Sequence, residues 1–196
     1  MNVSDRNGAQ EVVNVSDWKL SRHDRRLLAV SEPWASVVQM ARAARLRSGQ
    51  LTEPFSTRRI VETLFPAAVV AGGQLPSRVQ EAVSIRHEGP VILYSRDLEP
   101  PDQRFVIAHA IAHLLYDGNA DGAGVGFVGD PMREERADAF AAELLVPLAR
   151  LDAVMDPDIS SSGDLHLDEI DRLASRFNVP RWLIRKRVQD LADRRT

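Results

Sequence analysis

His109 and His113 stand four residues apart in the run from Gln103 to Leu115, Q-R-F-V-I-A-H-A-I-A-H-L-L. On an α-helix, positions i and i+4 share a face one turn apart, so two imidazoles so placed can hold one metal ion. In the zinc-hydrolysing pattern H-E-x-x-H, the residue after the first His is a Glu that serves as general base. Here that residue is Ala110, a methyl group with no proton acceptor. The run reads as a metal site from which the base is missing.

A second stretch can complete the site. Glu134-Glu135-Arg136-Ala137-Asp138-Ala139-Phe140-Ala141 opens another apolar helical pattern. A hydrolytic zinc site uses three protein ligands and keeps a fourth position open for water. Glu134 and Asp138 share a face at i,i+4. Glu134 can supply a carboxylate ligand, while Asp138 can accept a hydrogen bond from the non-ligating nitrogen of a His and so fix its tautomer. The competing reading is plainer: acids are favoured in the first turn of any helix, and a buried His is often satisfied by a carbonyl. The chain has no Cys, which leaves His and carboxylate as the metal-binding repertoire.

The elements that must position these residues read as an α+β fold, mostly helical, with a small sheet of about three strands. Residues 1–20 read as a flexible tail. From Ser31, a capping residue, Trp34, Val37, Val38, Ala41 and Ala44 make an apolar helical stripe, with Arg42, Arg45 and Arg47 as a solvated flank. Ser56 starts a shorter helix that Pro66 stops. Ala67–Ala71, Glu81–His87 and Val91–Tyr94 read as strands, with Gly89-Pro90 as a turn. Pro100-Pro101 ends the sheet, and Asp102 can cap the His-bearing helix, whose buried stripe is Phe105, Ala108, Ala112 and Leu115.

Gly118–Gly129 reads as a loop at the rim of a cleft. Its G-x-G-x-x-G at Gly124 lacks the βαβ setting of a dinucleotide site, and its calcium-loop-like start at Asp117 has Val128 where the bidentate Glu belongs. A helix over Met132–Leu145, a polar linker near Asp156–Gly163 and two short helices complete the chain. The organisation expected is a tail over 1–20, one domain over 21–155 including the N-terminal helix, and a helix-turn-helix-like pair over 156–196 packed on it.

Composition sets outer bounds. The 196 residues are 44% hydrophobic and 27% charged, as expected of a globular chain with one core. A net charge of −3 gives no bulk attraction to nucleic acid. The C-terminal segment is locally basic, with Arg172, Arg176, Arg181, Arg185, Lys186, Arg187, Arg194 and Arg195. That face reads either as a DNA or acidic-partner contact or as a solvated packing pair. No apolar run nears the roughly 18 residues that span a bilayer. The N-terminus lacks the apolar core of a signal peptide, so a cytoplasmic location is expected.

Residues 104–115 (R-F-V-I-A-H-A-I-A-H-L-L) and the later E-x-x-A-D-A-F-A-A-E-L-L-V-P together resemble the ImmA/IrrE metallopeptidases, and L-A-S-R-F-N-V-P-R-W-L-I-R-K-R-V is similar to their C-terminal helical pair. The resemblance covers roughly residues 56–192. It implies a zincin-like domain that holds Zn²⁺ on His109, His113 and Glu134, with the general base at Ala110. The implied activity is endoproteolysis of a helix-turn-helix transcriptional repressor, as part of a stress response or the control of mobile elements. Asp117 stands where many members have another His, and Asp138 where Asn is common. By this resemblance the chain is inactive as written. An engineered Glu→Ala change is the first explanation, because the ligands remain. A natural pseudo-peptidase acting as a partner-binding or DNA-binding regulator is the alternative. Tyr94, His87 and Tyr116 are the candidates by chemistry for steadying an oxyanion.

Overall fold

The structure is a computed structural model that describes residues 33–117, 130–155 and 166–194. The tail over 1–20, Ser31, the glycine loop with both of its motifs, and the linker near 156–163 lie outside the described residues. In chain order the elements are α1 (Pro33–Arg47), α2 (Thr57–Leu64), β1 (Val69–Gly73), β2 (Glu81–Arg86), β3 (Gly89–Ser95), α3 (Pro100–Tyr116), α4 (Pro131–Leu145), α5 (Leu148–Asp152), α6 (Leu167–Phe177) and α7 (Arg181–Asp193). This is the small, mostly helical α+β zincin-like arrangement the sequence suggests, with seven helices and one three-stranded sheet among the described residues.

α3 lies at the centre. Phe105 to Ala108 and Ala110 to Leu114 are all buried, so the helix is enclosed around nearly its whole circumference and is not a one-striped surface helix. It touches β2, β3, α2 and α4. Leu115, expected in the stripe, is only partly buried. α4 packs along α3 and also against α1, and it buries Ala137, Phe140, Ala141 and Leu144.

The sheet runs β1-β3-β2, with β1 parallel and β2 antiparallel to β3. β2 is therefore an edge strand. The turn between β2 and β3 falls on His87 and Glu88, whereas Gly89-Pro90 belongs to β3, opposite Arg86 and Ile85. Gly89 has φ +133°, and a Cβ there would run into the carbonyl oxygen of Ala67. Only glycine meets both demands. Ser56 caps α2 by accepting from the N–H of Arg59. Asp102 does not cap α3. The helix starts earlier, at Pro100, with Glu99 before it and no side-chain cap, and Asp102 instead accepts from the indole N–H of Trp182 at 3.4 Å.

Two arginines expected on solvated faces are interior. Arg45 is buried; it donates to the carbonyls of Gln50, Leu51 and Leu144 and pairs with Glu53 at 2.7 Å. Arg187 is buried against Glu143 and donates to the carbonyl of Val146. Helical periodicity alone cannot show this, since a long cationic side chain carries its charge well away from its own Cα. Arg104 on α3 donates to the carbonyls of Phe177 and Asn178 at the C-terminal end of α6. There it meets the negative end of the helix dipole, and burial lowers its guanidinium to about 10. Phe105 packs edge-on against Trp182 of α7 with ring centroids 4.7 Å apart. Among the described residues no helix is long and apolar enough to cross a membrane.

Burial alone would raise the Glu53 carboxyl. The hydrogen bond and charge of Arg45, aided by Glu53's own backbone and by Arg150, hold it below the ordinary value of 4.5. A carboxyl depressed by folding contributes stability that is present above its unfolded value and lost as pH falls through the lower folded value. Glu53→Gln should therefore cost about 3 kcal/mol at pH 7, because it leaves Arg45 buried without its counter-charge. The gap should close below pH ~4, as read from urea midpoints across pH.

Candidate metal centre

α3 presents His109 and His113 on one side, and their Nε2 atoms lie 2.9 Å apart. The Nδ1 of His109 is 3.0 Å from Asp138 of α4, and the Nδ1 of His113 is 2.8 Å from Asp117. An ionised carboxylate only accepts, so each Nδ1 carries a proton, and a ring with no second proton turns a lone pair outward from Nε2. With both rings in that state two lone pairs face each other across 2.9 Å, an arrangement that calls for a proton or a metal ion. Glu134 of α4 brings one carboxylate oxygen to 3.2 Å from His109 Nε2 and the other to 3.7 Å from His113 Nε2. Donors held tetrahedrally at about 2.0–2.1 Å from zinc stand about 3.3 Å from one another. The three groups therefore fit a single metal ion, and the donor set of two imidazoles and a carboxylate suits zinc chemistry.

A further carboxylate reaches the same nitrogen. Glu81, the first residue of β2, places Oε1 3.9 Å from His109 Nε2, and ligand atoms of Glu81, His109 and His113 all lie within 4.8 Å of one another. Burial pushes the Glu81 carboxyl up to about 8, an effect that His109 only partly offsets and that Glu134 and Asp138 reinforce. For His109, burial disfavours the charge, but the Asp138 hydrogen bond and the carboxylates of Glu81, Asp138 and Glu134 outweigh it and raise the ring above the ordinary histidine value.

Asp117 is the better shielded of the two orienting acids. Its side chain is 5% exposed, against 51% for Asp138. Arg136 donates to its other oxygen at 2.6 Å and also lies over the Tyr116 ring. Burial would raise the Asp117 carboxyl, but the His113 hydrogen bond and the charges of Arg136, His113 and Arg133 bring it below its usual value. Arg136 thus steadies Asp117, and Asp117 steadies His113.

His109, His113, Glu134, Asp138 and Glu81 line a cleft of about 460 Å³, together with the chain around Glu81 and with Phe105 and Val106. Ala110 does not line it and is fully enclosed. None of Tyr94, His87 and Tyr116 lines it either: the Tyr94 ring lies beside Gly72, and Tyr116 packs on Phe140 and Arg136. Asp117 stands at i,i+4 from His113 in the sequence, though it was read there as a replacement for a His and as the start of a calcium-loop-like run. Glu81 left no local signal, because it is 28 residues from His109 and the sheet alone brings it near.

If the two acids orient the imidazoles, Asp117→Asn and Asp138→Asn should each weaken zinc affinity by roughly 10–100-fold. The loss should be larger for Asp117, which water can replace less easily. Competition with a chromophoric chelator measures both, with circular dichroism as the check on fold. Affinities equal to that of the unaltered chain would make the carboxylates bystanders.

No curated protein matches the chain. Residues 73–189 match the IrrE N-terminal-like domain of the Peptidase M78 family, from the end of β1 through most of α7. The match takes in both motif helices, and it agrees with the resemblance they carry. The chain belongs to this family of metallopeptidases.

Proposed function

We propose that the chain is a zinc metallo-endopeptidase by construction, directed at a helix-turn-helix transcriptional repressor in the cytoplasm, and inactive as written. In this reading residues 21–155 form the peptidase domain and 156–196 a helical pair attached to it. The observation that carries it is the meeting of His109 Nε2, His113 Nε2 and the Glu134 carboxylate at spacings suited to one ion. Asp138 holds the His109 tautomer. A bound zinc would polarise a scissile carbonyl and lower the pKa of an attacking water. The edge strand β2 offers an unpaired backbone along which an extended peptide can lie beside the cleft. Ala110 supplies nothing to take a proton from that water, and such general-base help is worth about 10²–10⁴-fold.

The natural pseudo-peptidase is the second reading, favoured by the full enclosure of Ala110 and by the Glu81 carboxylate standing in the cleft. As a DNA-binding regulator the chain would have few unpaired cations to offer among the described residues of its C-terminal helices. Arg187 is buried, Arg172 pairs with Glu169, Arg181 with Asp171 and Lys186 with Asp190. Arg176, Arg185 and Arg194 remain exposed. Any such binding should weaken with salt with a log–log slope no steeper than roughly −3, as a gel-shift titration would read.

The purified chain should carry about one zinc, as a His₂Glu site does. His113→Ala and Glu134→Ala should each lose it, and full retention in both would mean the ligands lie elsewhere. At zinc saturation the chain as written should leave a neighbouring repressor intact on a gel. Ala110→Glu separates the two accounts of Ala110. If alanine replaced a native Glu, the variant should fold equally well and cleave about 10²–10⁴-fold faster. If the interior is built around alanine, the variant should lose about 1–3 kcal/mol from overfilling and gain no cleavage.

A further inference from the structure

Four carboxylates surround the two imidazoles, and three have evident partners. Asp138 and Asp117 each hold an Nδ1, and Glu134 spans the two Nε2 atoms. Glu81 differs. It comes from the sheet, as the first residue of β2, and lines the same cleft. Its ion-pair partner among the described residues is His109, through Nε2 and not through the protonated Nδ1. Its Oε2 is buried with no hydrogen-bond partner among the described residues. A carboxylate oxygen so buried and without a donor stays ionised only where a cation lies close, and no Arg or Lys among the described residues is paired with it. The cation it faces is the one the two Nε2 lone pairs also face.

We propose that Glu81 is a fourth protein ligand, closing the site as His109, His113, Glu134 and Glu81 around one divalent ion. The Oε1–Nε2 distance of 3.9 Å exceeds the tetrahedral spacing of about 3.3 Å by roughly 0.6 Å. A small rotation of a side chain at the first residue of an edge strand covers that. A carboxylate acting through a metal-held water would instead stand about 4 Å from the ion, out of direct contact with it. Charge agrees: two neutral imidazoles and two carboxylates exactly offset a divalent cation in a partly buried place. Structural zinc sites have four protein ligands and no open position, and catalytic sites have three. The chain then differs from a hydrolase at two points, since Ala110 removes the proton acceptor and Glu81 takes the place of the water. Restoring a base at position 110 would act only in molecules where water has displaced Glu81.

This inference rests on the metal-site reading above, and its test does not depend on catalysis. The full chain and its Glu81→Gln variant are stripped of metal and loaded with zinc or with cobalt(II). Glu81→Gln should bind zinc at least about 10-fold more weakly. The cobalt form of the chain as written should show the intense visible bands of a closed tetrahedral site and ignore added azide, whereas the variant's bands should change when azide enters the vacated position. Glu81→Asp, which keeps a carboxylate on a shorter arm, should fall between them and serves if Glu81→Gln folds poorly. Equal zinc affinity and equal azide response in both proteins would overturn the proposal and leave a three-ligand site standing. Failure of the chain as written to take up either metal would overturn the metal-site reading, and this inference with it.

Discussion

Two imidazole lone pairs pointed at each other across 2.9 Å repel unless something positive stands between them, and the surrounding structure is arranged to keep them so pointed. Asp138 from α4 and Asp117 from the end of α3 each claim an Nδ1 proton, which removes the tautomers that would let one ring donate to the other. Arg136 then fixes Asp117. Two rings so held repel unless a positive charge is shared between them, so a cation bound there would add to the stability of the fold.

That arrangement depends on the placement of α3. Helix α3 is enclosed by the sheet, α2 and α4, so its two His cannot swing away without disturbing packed neighbours. Buried cations then tie the outer helices to this centre. Arg45 reaches from α1 to the last turn of α4, Arg187 from α7 to Glu143 and Val146, and Arg104 from α3 to the end of α6. Each satisfies carbonyls that would otherwise end blind inside the protein.

The sequence made the helical half of the site readable and hid the rest. The i,i+4 spacing of His109 and His113, and of Glu134 and Asp138, is a property of the helix itself, so it survives without knowledge of the fold. Which helix faces which is not local, and it was read from the need of a zinc site for a third ligand and from the paired family motif. The errors lie where tertiary contact overrides pattern. Arg45 and Arg187 sit beside helical stripes and look solvated, but their long side chains end in the interior. Asp102 is a good capping residue, yet the helix begins two residues earlier at Pro100. Glu81 was read only as the start of a strand, because nothing in a period-two pattern states what lies across the cleft from it.

The tight turn before β3 has a reach beyond its own neighbourhood. Gly89 is confined to glycine by its positive φ and by the Ala67 carbonyl, and it pairs with Arg86, so it sets the register by which Glu81 lies opposite Tyr94. A strand's side chains alternate faces, and a slip of one residue would turn Glu81 to the far side of the sheet and bring Gln80 or Ala82 toward the histidines. Which side chain faces the histidines from the sheet is thus partly written in a residue with no side chain, eight positions along the chain from Glu81. A substitution at Gly89 would be felt at the centre as the exchange of one donor for another, while every histidine remained in place.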